Sequence, residues 1–437
     1  MKACIIGAGS SGIAAAQVLQ ARGIDYDCFE KGSRVGGNWR YENDNGMSSA
    51  YRSLHINTSR RVMAFKSLPM PEGYPDYPDH FQMAAYFDEV VDRYRLRERI
   101  RFNTEVLDAE PVAGTGEWDV TVEGPEGRAT NRYDAVLVAN GHHWDARWPE
   151  PAFPGAEEFE GEQIHAHEYR EPDVLEGKRV LVLGIGNSAV DIAVESSRIG
   201  EKTFLATRRG AWVLPKYLNG RPIDEIANSV TGNAPIPVMR AVMKRSLKVA
   251  VGDPTDYGLP KPDHKLLEAH PTVSSEFLPR LGHGDITAKP NIDRFTGGRG
   301  VRFVDGSEEE VDLVVYCTGY KITFPFFRPE VLSAPDNRLP LFRRVVSVER
   351  PGLYFIGFIQ PLGPIMPLAE AQAEWIADLL SGRAVLPSPA EMRREIVVEE
   401  TKQRKRFVAS KRHTVEVDFY PYLREIRRER RRAAAPA

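Results

Sequence analysis

Residues 2–30, KACIIGAGSSGIAAAQVLQARGIDYDCFE, decide the fold of the first part of the chain. The apolar run Lys2–Ile6 leads directly into a glycine-rich turn at residues 7–12, and the alanine-rich segment Ile13–Arg22 follows it. A second short run then ends at Glu30. A strand, a G-x-G-x-x-G turn, a helix and a second strand ending in an acidic residue are typical of a dinucleotide-binding βαβ unit.

Each residue type in this turn has a physical reason. Gly7 permits the tight turn, Gly9 lets the backbone approach a pyrophosphate, and Gly12 lets the helix pack closely on the sheet. The helix N-terminus offers free N–H groups and a partial positive charge to the phosphates. Glu30 lies 18 residues after Gly12. A carboxylate at this place accepts hydrogen bonds from the ribose hydroxyls and repels a 2′-phosphate. The adjacent glycines of RVGGNW (34–39) suit a backbone that passes a bulky ligand, which favours FAD over NAD.

The same pattern returns at residues 179–207, where RVLVL, GIGNSA, VDIAVESSR and TFLAT follow one another. The two turns start 177 residues apart, which is too far for one Rossmann unit and suits two. Ala189 stands at the third glycine position, an accepted variant. After Thr207 come Arg208 and Arg209 and no carboxylate. Arginine there favours a 2′-phosphate and therefore NADPH, although a surface arginine pair is the plainer interpretation.

The predicted fold class is α/β, with two Rossmann-like dinucleotide-binding domains for FAD and NADPH, the second inserted in the first. We assign residues 1–155 to the first part of the FAD domain, 156–310 to the NADPH domain, and 311–437 to the second part of the FAD domain with the tail. Further predicted elements are the buried strands Asp134–Asn140, Asp312–Cys317 and Leu353–Gly357 and a helix over Leu368–Ser381.

Composition excludes several classes of protein. The 437 residues include 58 Lys plus Arg and 61 Asp plus Glu, a net charge of −3 that argues against a dedicated nucleic-acid binder. Hydrophobic residues at 42% exclude a disordered chain. Three cysteines, none in a C-x-x-C pair, form neither a disulfide framework nor a Cys-rich metal site. We therefore expect no metal and a cytoplasmic location.

Two segments raise the question of a membrane or polyanion contact. The 19 uncharged residues 351–369 contain four prolines, which disfavours a spanning helix and favours a buried strand and a tight loop. We expect no signal peptide before the first strand. The basic run Arg424–Arg432 is expected to be a solvated helix end. We therefore expect a small-molecule substrate, no nucleic acid and no membrane anchor.

Several segments resemble the class B flavin-containing monooxygenases. Residues 159–169, FEGEQIHAHEY, fit the identifying pattern FxGxxxHxxxY of that family at every fixed place and lie just before the second nucleotide turn. Further similar segments are INTSRR (56–61), GIGNSAVDIA (184–193), TRRGAWV (207–213), TGY (318–320), IGFIQPLGPIMP (356–367) and SKRHTVEVD (410–418). Tyr169 departs from Baeyer–Villiger relatives, which have Trp. The basic tail ends in AAAPA, and we expect it to lack the hydrophobic anchor of the animal enzymes.

The resemblance implies that NADPH reduces the flavin, that dioxygen gives a flavin hydroperoxide, and that an amine or thioether is oxygenated on nitrogen or sulfur. Ketone oxygenation of the Baeyer–Villiger type and an uncoupled NADPH oxidase stay open as alternatives. Asn57 is expected to face the hydroperoxide and the nicotinamide. His165 is expected to be a structural hydrogen-bonding residue in a domain linker, with a base near the flavin as the alternative.

The resemblance also assigns cofactor-binding residues. Those for FAD are Gly7, Gly9, Ser10, Ser11, Gly12, Glu30, Gly37, Asn38, Trp39, Thr58, Val106 and Gln360. Those for NADPH are Asn57, Gly186, Ser188, Ala189, Asp191, Thr207 and Arg208. A flavin disulfide reductase would share the two-domain plan but needs a cysteine pair, and a silent nucleotide sensor would be expected to lose one motif. Dimers are common among similar enzymes, so a homodimer stays open.

Overall fold

The computed structural model describes residues 1–226, 236–408 and 413–433. The matching segment 410–418 and the terminal AAAPA therefore lie partly outside the described residues. The chain forms two compact units. The first unit comprises Met1–Ala50, Leu54–Asp145 and Lys321–Ala437, and the second unit comprises Tyr51–Ser53 and Ala146–Tyr320.

The first unit is built on a seven-stranded sheet. Its five parallel strands follow the Rossmann order, with the N-terminal strand in the middle. Two short antiparallel strands extend one edge. In spatial order the strands are Leu341–Phe342, Val346–Ser347, Leu353–Phe355, Ala135–Val138, Lys2–Ile6, Asp25–Phe29 and Ile100–Arg101.

A three-stranded antiparallel sheet and a set of helices complete the first unit. The sheet consists of Glu105–Pro111, Trp118–Gly124 and Gly127–Tyr133, and a small parallel pair joins Gln360–Leu362 to Glu416–Asp418. The α-helices are Ser10–Ala21, Arg60–Met63, His80–Arg93, Met366–Leu380, Pro389–Arg406 and Phe419–Glu429. The 3₁₀ turns are Gly37–Trp39, Leu96–Arg99, Pro335–Asn337 and His413–Val415.

The core of the first unit explains why its two central helices form. Ala14, Ala15 and Ala16 are buried on the first helix, and their small side chains let Met366–Leu380 approach closely. Trp375 on that second helix is fully buried. Because both helices are apolar on most of their surface, tertiary packing rather than a solvated face stabilises them.

The second unit contains a five-stranded parallel sheet, with its glycine turn after the central strand. In spatial order the strands are Ile286–Lys289, Lys202–Ala206, Arg179–Leu183, Leu313–Tyr316 and Glu162–His165. An antiparallel sheet of Ile292–Phe295, Gly300–Phe303 and Glu308–Glu310 and the short pairs Val213–Leu214 with Thr272–Val273 and Tyr217–Leu218 with Arg221–Pro222 accompany it. The helices are Asn187–Ile199, Ile236–Val251 and Phe277–His283, with 3₁₀ turns at Ala156–Glu158, Pro172–Leu175 and Pro254–Tyr257.

The chain passes from one unit to the other at residues that differ from the boundaries assigned above. The boundaries of the second unit lie after Asp145 and after Tyr320, each within a short strand, Asp145–Ala146 or Tyr320–Lys321. Each lies ten residues from the assigned boundary, at 155 or 310. The strand Leu313–Tyr316 pairs with Arg179–Leu183 in the second unit, so placing residues 311–320 in the first domain was wrong. Sequence marks a buried parallel strand but does not indicate which sheet it joins.

The uncharged stretch 351–369 forms the strand Leu353–Phe355, a loop, the strand Gln360–Leu362 and the start of a helix. Among the residues that the structure describes, none of the helices is both long and apolar enough for a membrane span. The basic run 424–432 is only partly solvated. Arg430 pairs with Asp378 at 2.8 Å and with Glu374, both on the helix Met366–Leu380, so the end of the run is fixed to the fold.

Candidate functional site: two dinucleotide turns and the Asn57 segment

The first glycine turn is closed by direct backbone packing. Gly7 has a φ of +99°, a conformation that glycine adopts without strain. A Cβ at Gly12 would lie 1.8 Å from the Gly7 carbonyl oxygen, so only glycine lets the helix start this close to the strand. Gly9 caps the helix with no side-chain hydrogen bond, and the first turn, beginning with Ser10 and Ser11, contains no acidic residue. The N–H groups and the helix dipole are thus available to a phosphate.

A second glycine segment lies directly against this turn. The Gly36 N–H donates to the Ala8 carbonyl at 3.0 Å, and a Cβ at Gly37 would lie 2.9 Å from the Gly9 Cα. Gly37, Asn38 and Trp39 form a 3₁₀ turn here. The Asn38 Oδ1 accepts the Ser49 N–H at 2.8 Å, which fixes that side chain. The structure therefore brings both glycine segments together around one cradle that fits a pyrophosphate.

Glu30 holds the turn itself. Its carboxylate is 3% exposed and accepts hydrogen bonds from the Ala8 N–H at 2.8 Å, the Gly32 N–H at 2.9 Å and the Asn45 amide at 2.9 Å. Asn45 belongs to the loop 43–46, NDNG, which our sequence reasoning missed. Its run of Asn, Asp and Gly is typical of a turn that hydrogen-bonds its own backbone, and it could have been found on that ground.

The remaining residues assigned to FAD have mixed surroundings. Gly357 has a φ of +79°, and a Cβ there would lie 2.1 Å from the Ser11 Oγ, so the chain before Gln360 passes against the first helix. Gln360 is half-buried in a short strand. Val106 is buried in the core cluster that contains Phe29, so any contact of Val106 with a cofactor would come from its backbone.

The second glycine turn repeats the geometry of the first with one difference. Gly184 has a φ of +134°, and Gly186 caps the helix Asn187–Ile199 with no side-chain bond and no acidic residue in the first turn. Ala189 is fully buried, so this turn accommodates the methyl group that Gly12 excludes. Ser188 is half-buried in the first helical turn. The cradle fits a second pyrophosphate.

Residues 272–273 support this second turn, and our sequence reasoning missed them. The Thr272 hydroxyl donates to the Ile185 carbonyl at 2.5 Å. The Asn187 Oδ1 accepts the Val273 N–H at 2.8 Å. These partners come from a strand 86 residues downstream, and no local pattern in the sequence indicates such a pairing.

The strand end after the second turn separates two neighbouring arginines. Thr207 is buried, and its hydroxyl donates to the Arg209 carbonyl at 2.7 Å. The Arg209 guanidinium pairs with Asp263 at 3.5 Å. Arg208 is exposed and forms no ion pair or side-chain hydrogen bond within residues 1–226, 236–408 and 413–433. The Arg208 guanidinium is therefore available to a ligand, as the predicted contact with a 2′-phosphate requires.

Asp191 has a protein partner. Its Oδ2 accepts the Tyr51 hydroxyl at 2.5 Å, and burial together with this carboxylate raises the pKa of the Tyr51 hydroxyl. At least one carboxylate oxygen of Asp191 is thus hydrogen-bonded within the protein. The predicted NADPH contact of this residue would come in addition to that bond.

Asn57 lies in a fixed backbone with an unengaged side chain. The neighbouring Ile56 N–H donates to the Pro78 carbonyl at 3.0 Å, and His55 pairs with Asp79 in an isolated bridge. The side chains of Asn57 and Thr58 are half-buried and form no hydrogen bond to any other part of the chain that the structure describes. A neutral amide held in this way can donate to a ligand and accept from it without titrating.

His165 lies in a strand rather than in the linker that we expected. It ends the edge strand Glu162–His165 of the second unit and is 1% exposed. Its Nδ1 accepts the His167 N–H at 3.0 Å, and its ring packs edge-on against Tyr320 at 5.4 Å. Burial lowers its pKa to about 4, so the imidazole is neutral at pH 7.

The fixed residues of the pattern at 159–169 have packing functions. A Cβ at Gly161 would lie 2.4 Å from the Phe159 ring and 2.9 Å from the Asp312 carbonyl oxygen, so glycine makes room for both. The Tyr169 hydroxyl donates to Glu195 at 2.5 Å on the nucleotide helix. The pattern therefore fixes the edge of the second sheet and its helix.

Comparison with known proteins agrees with this arrangement. The model of the family "Flavin-binding monooxygenase-like" matches residues 1–432. Flavin-containing monooxygenase 5 of Oryctolagus cuniculus is 36% identical over 97% of this chain and 82% of its own length. Dimethylaniline monooxygenase [N-oxide-forming] 2 of Rattus norvegicus is 34% identical over 97% and 82%. The structure of S-allyl-L-cysteine S-oxygenase from Allium sativum superposes with a TM-score of 0.75 at 25% identity, covering 100% of this chain and 89% of that one.

The two cradles, the acidic strand end of the first and the uncommitted arginine of the second fit FAD and NADPH. Together with the match over residues 1–432, they place the chain in the flavin-containing monooxygenase family, as an FAD-dependent enzyme that uses NADPH and dioxygen.

Proposed function

We propose that this enzyme oxygenates the nitrogen or sulfur of a small nucleophilic substrate. FAD, when bound and reduced by NADPH, supplies the oxygen-transfer chemistry. In this proposal Gly7, Gly9 and Gly12 hold its pyrophosphate, and the backbone of 37–39 follows the flavin arm. Gly186, Ser188 and Arg208 hold NADPH.

The observation that carries the proposal is the uncommitted amide of Asn57. Amines and thioethers are themselves nucleophiles, so the protein need not activate them with a charged acid or base. Such a substrate needs only a site that excludes water and a neutral amide that hydrogen-bonds the reacting oxygen atoms. The histidine of the identifying pattern, His165, is a weak base, because burial lowers its pKa to about 4 and its Nδ1 already accepts the His167 N–H.

The names of some similar proteins fit these two substrate classes. One similar protein is described as N-oxide-forming and one similar structure as an S-oxygenase. Tyr169 stands where Baeyer–Villiger relatives have tryptophan, which favours nitrogen and sulfur over ketones. The proposal places the enzyme in the cytoplasm, in line with its three free cysteines.

The test measures three quantities on one sample: NADPH consumption, oxygenated product and hydrogen peroxide. N,N-dimethylaniline, methyl phenyl sulfide and cyclohexanone represent the amine, thioether and ketone classes. We expect the amine or the sulfide to give product in step with NADPH consumption, and cyclohexanone to give none. Lactone from cyclohexanone as the main product would contradict the proposal. Peroxide equal to NADPH consumed with every compound would identify an oxidase instead.

A further inference from the structure

Two buried tyrosines bind one face of the nucleotide helix Asn187–Ile199. Tyr51 donates to the Asp191 Oδ2, and Tyr169 donates to the Glu195 Oε2, both at 2.5 Å. Asp191 and Glu195 are four residues apart, so they lie one above the other on the helix. The two tyrosine rings are 5.7 Å apart, and both residues are less than 5% exposed. The two tyrosines therefore pack against each other along one face of the helix.

The two tyrosines belong to chain segments of different kinds. Tyr169 lies within a continuous stretch of the second unit, 146–320. Tyr51 belongs to a segment of three residues, Tyr51–Ser53, that is part of the second unit although the chain before and after it belongs to the first. The segment leads to Asn57, four residues after Ser53. Four residues span at most about 14 Å, so holding this segment limits where Asn57 can lie.

The bond from Tyr51 to Asp191 is a buried, charge-assisted contact of this segment. The Arg52 N–H also donates to the Arg170 carbonyl at 2.8 Å, and the Arg52 guanidinium pairs with Glu171 at 3.0 Å. The Arg52–Glu171 pair is exposed, and an exposed ion pair stabilises little. A buried hydroxyl that donates to a carboxylate is charge-assisted and about twice as strong as a neutral bond. Burial and the nearby carboxylate also raise the pKa of Tyr51, so it stays a donor at neutral pH.

We propose that Tyr51 is a positioning residue, which acts through Asp191 to fix the segment that carries Asn57. The inference rests on the proposed function, since it gives a role to Asn57. It adds that the helix which receives the NADPH pyrophosphate also holds, through Asp191, the chain leading to the reactive amide.

The experiment compares Tyr51→Phe with Tyr169→Phe. Each variant removes one hydroxyl that donates to a carboxylate of the same helix and keeps the ring, and only Tyr51 lies on the segment that leads to Asn57. In Tyr51→Phe we expect the fraction of NADPH consumption that appears as hydrogen peroxide to rise at least fivefold, with the KM for NADPH changed less than threefold. Tyr169→Phe is expected to leave the peroxide fraction within twofold of the parent.

Amide hydrogen exchange provides a readout that does not depend on turnover. With the FAD-loaded protein at rest, Tyr51→Phe should speed exchange at residues 54–58 about tenfold or more, and Tyr169→Phe should not. Equal effects of the two variants on peroxide and on exchange would show that both tyrosines merely stabilise the helix and would overturn the inference. Unchanged exchange and unchanged peroxide in Tyr51→Phe would overturn it as well.

A double variant separates this inference from the proposed function. If Asn57→Leu alone leaves the peroxide fraction unchanged, the proposed role of Asn57 fails, while the exchange data still decide whether Tyr51 holds the segment. If Asn57→Leu raises peroxide and Tyr51→Phe adds nothing further to it, the two residues act together as proposed. Independent, multiplying effects of the two substitutions would contradict a shared route.

Discussion

At the residue scale, polar side chains near the two turns either hold the protein or remain available to a ligand. Glu30 and Asp191 accept hydrogen bonds from the protein. Asn57 and Arg208 accept or donate none among residues 1–226, 236–408 and 413–433. Substitution of the first kind should therefore reduce stability, and substitution of the second kind should alter catalysis or cofactor choice with little effect on folding.

Asn57→Leu keeps the size of the side chain and removes its hydrogen-bonding groups. Loss of one such bond in a water-poor site costs about 1–3 kcal/mol, or about one to two decades in a rate. We expect the variant to consume NADPH and release hydrogen peroxide in place of oxygenated product. Asn131→Leu makes the same change on the antiparallel sheet and serves as the control. Full product yield from Asn57→Leu would show that another group stabilises the reacting oxygen atoms.

Arg208→Ala should lower the preference for NADPH. A charge-assisted bond to the 2′-phosphate contributes about 1.5–3 kcal/mol, so KM for NADPH should rise about ten- to hundredfold and KM for NADH should change little. Arg209→Ala is the matched control, because Arg209 pairs with Asp263. Steady-state kinetics with both nucleotides measure the effect. An equal loss with NADPH and NADH, or a larger loss in Arg209→Ala, would contradict the assignment.

At the element scale, the two strand–turn–helix units differ in how closely the helix meets the strand. In the first unit a Cβ at Gly12 would overlap the Gly7 carbonyl oxygen. In the second unit Ala189 occupies the corresponding place and is fully buried without disrupting its helix. The first helix therefore needs glycine for packing, whereas the second does not.

Gly12→Ala and Gly9→Ala should separate folding from flavin binding. Gly12→Ala forces the helix away from the strand, so we expect lower thermal stability of the flavin-free protein and loss of FAD. Gly9 has a φ of −73°, and a Cβ there meets only Gly37 atoms, at 3.5 Å or more. Gly9→Ala should therefore fold normally but bind FAD about tenfold more weakly, because the methyl group lies in the pyrophosphate cradle.

Absorbance of bound flavin and thermal melts of the flavin-free protein test both variants. Gly73→Ala is the control, since a Cβ at Gly73 meets nothing within 4 Å. Normal flavin affinity in Gly9→Ala would show that the pyrophosphate does not lie over this glycine.

At the scale of the whole molecule, buried neutral histidines link folding to pH. Burial lowers the pKa of His165 and of His142 to about 4, against an unfolded value of 6.5. Protonation thus favours the unfolded chain. The stability contributed by the neutral rings is fully present above pH 6.5 and is lost as pH falls from 6.5 towards 4. For His165, which is 1% exposed, the loss amounts to about 3 kcal/mol.

His165→Asn should weaken this pH dependence. The Asn Oδ1 can still accept the His167 N–H, and the side chain does not titrate. We expect the urea midpoint of the parent to fall between pH 6.5 and 4.5 by more than that of the variant. An identical pH dependence of the two proteins would show that His165 is not neutral in the folded state. Flavin content at each pH is the control for loss of cofactor.

The local sequence determined much of the fold and of both cradles. The strands Lys2–Ile6 and Arg179–Leu183 have the predicted bounds, and the helices begin slightly earlier, at Ser10 and Asn187, because each starts inside its glycine turn. The α/β class with two Rossmann-type units, FAD and NADPH are confirmed. These features follow from short-range patterns, since a turn that fits a phosphate needs particular residues at adjacent positions.

Only the tertiary structure decided which distant residues meet. It places strand Leu313–Tyr316 in the second sheet, Asn45 on Glu30, Thr272 under the second turn and Tyr51 on Asp191. It also shows that the neighbouring arginines have different surroundings, because Arg209 pairs with Asp263, whereas Arg208 has no such partner among the described residues. Partners tens of residues apart are chosen by packing of the whole chain, so the hydrogen bonds that fix a site and the groups left open to a ligand appear only once the chain is folded.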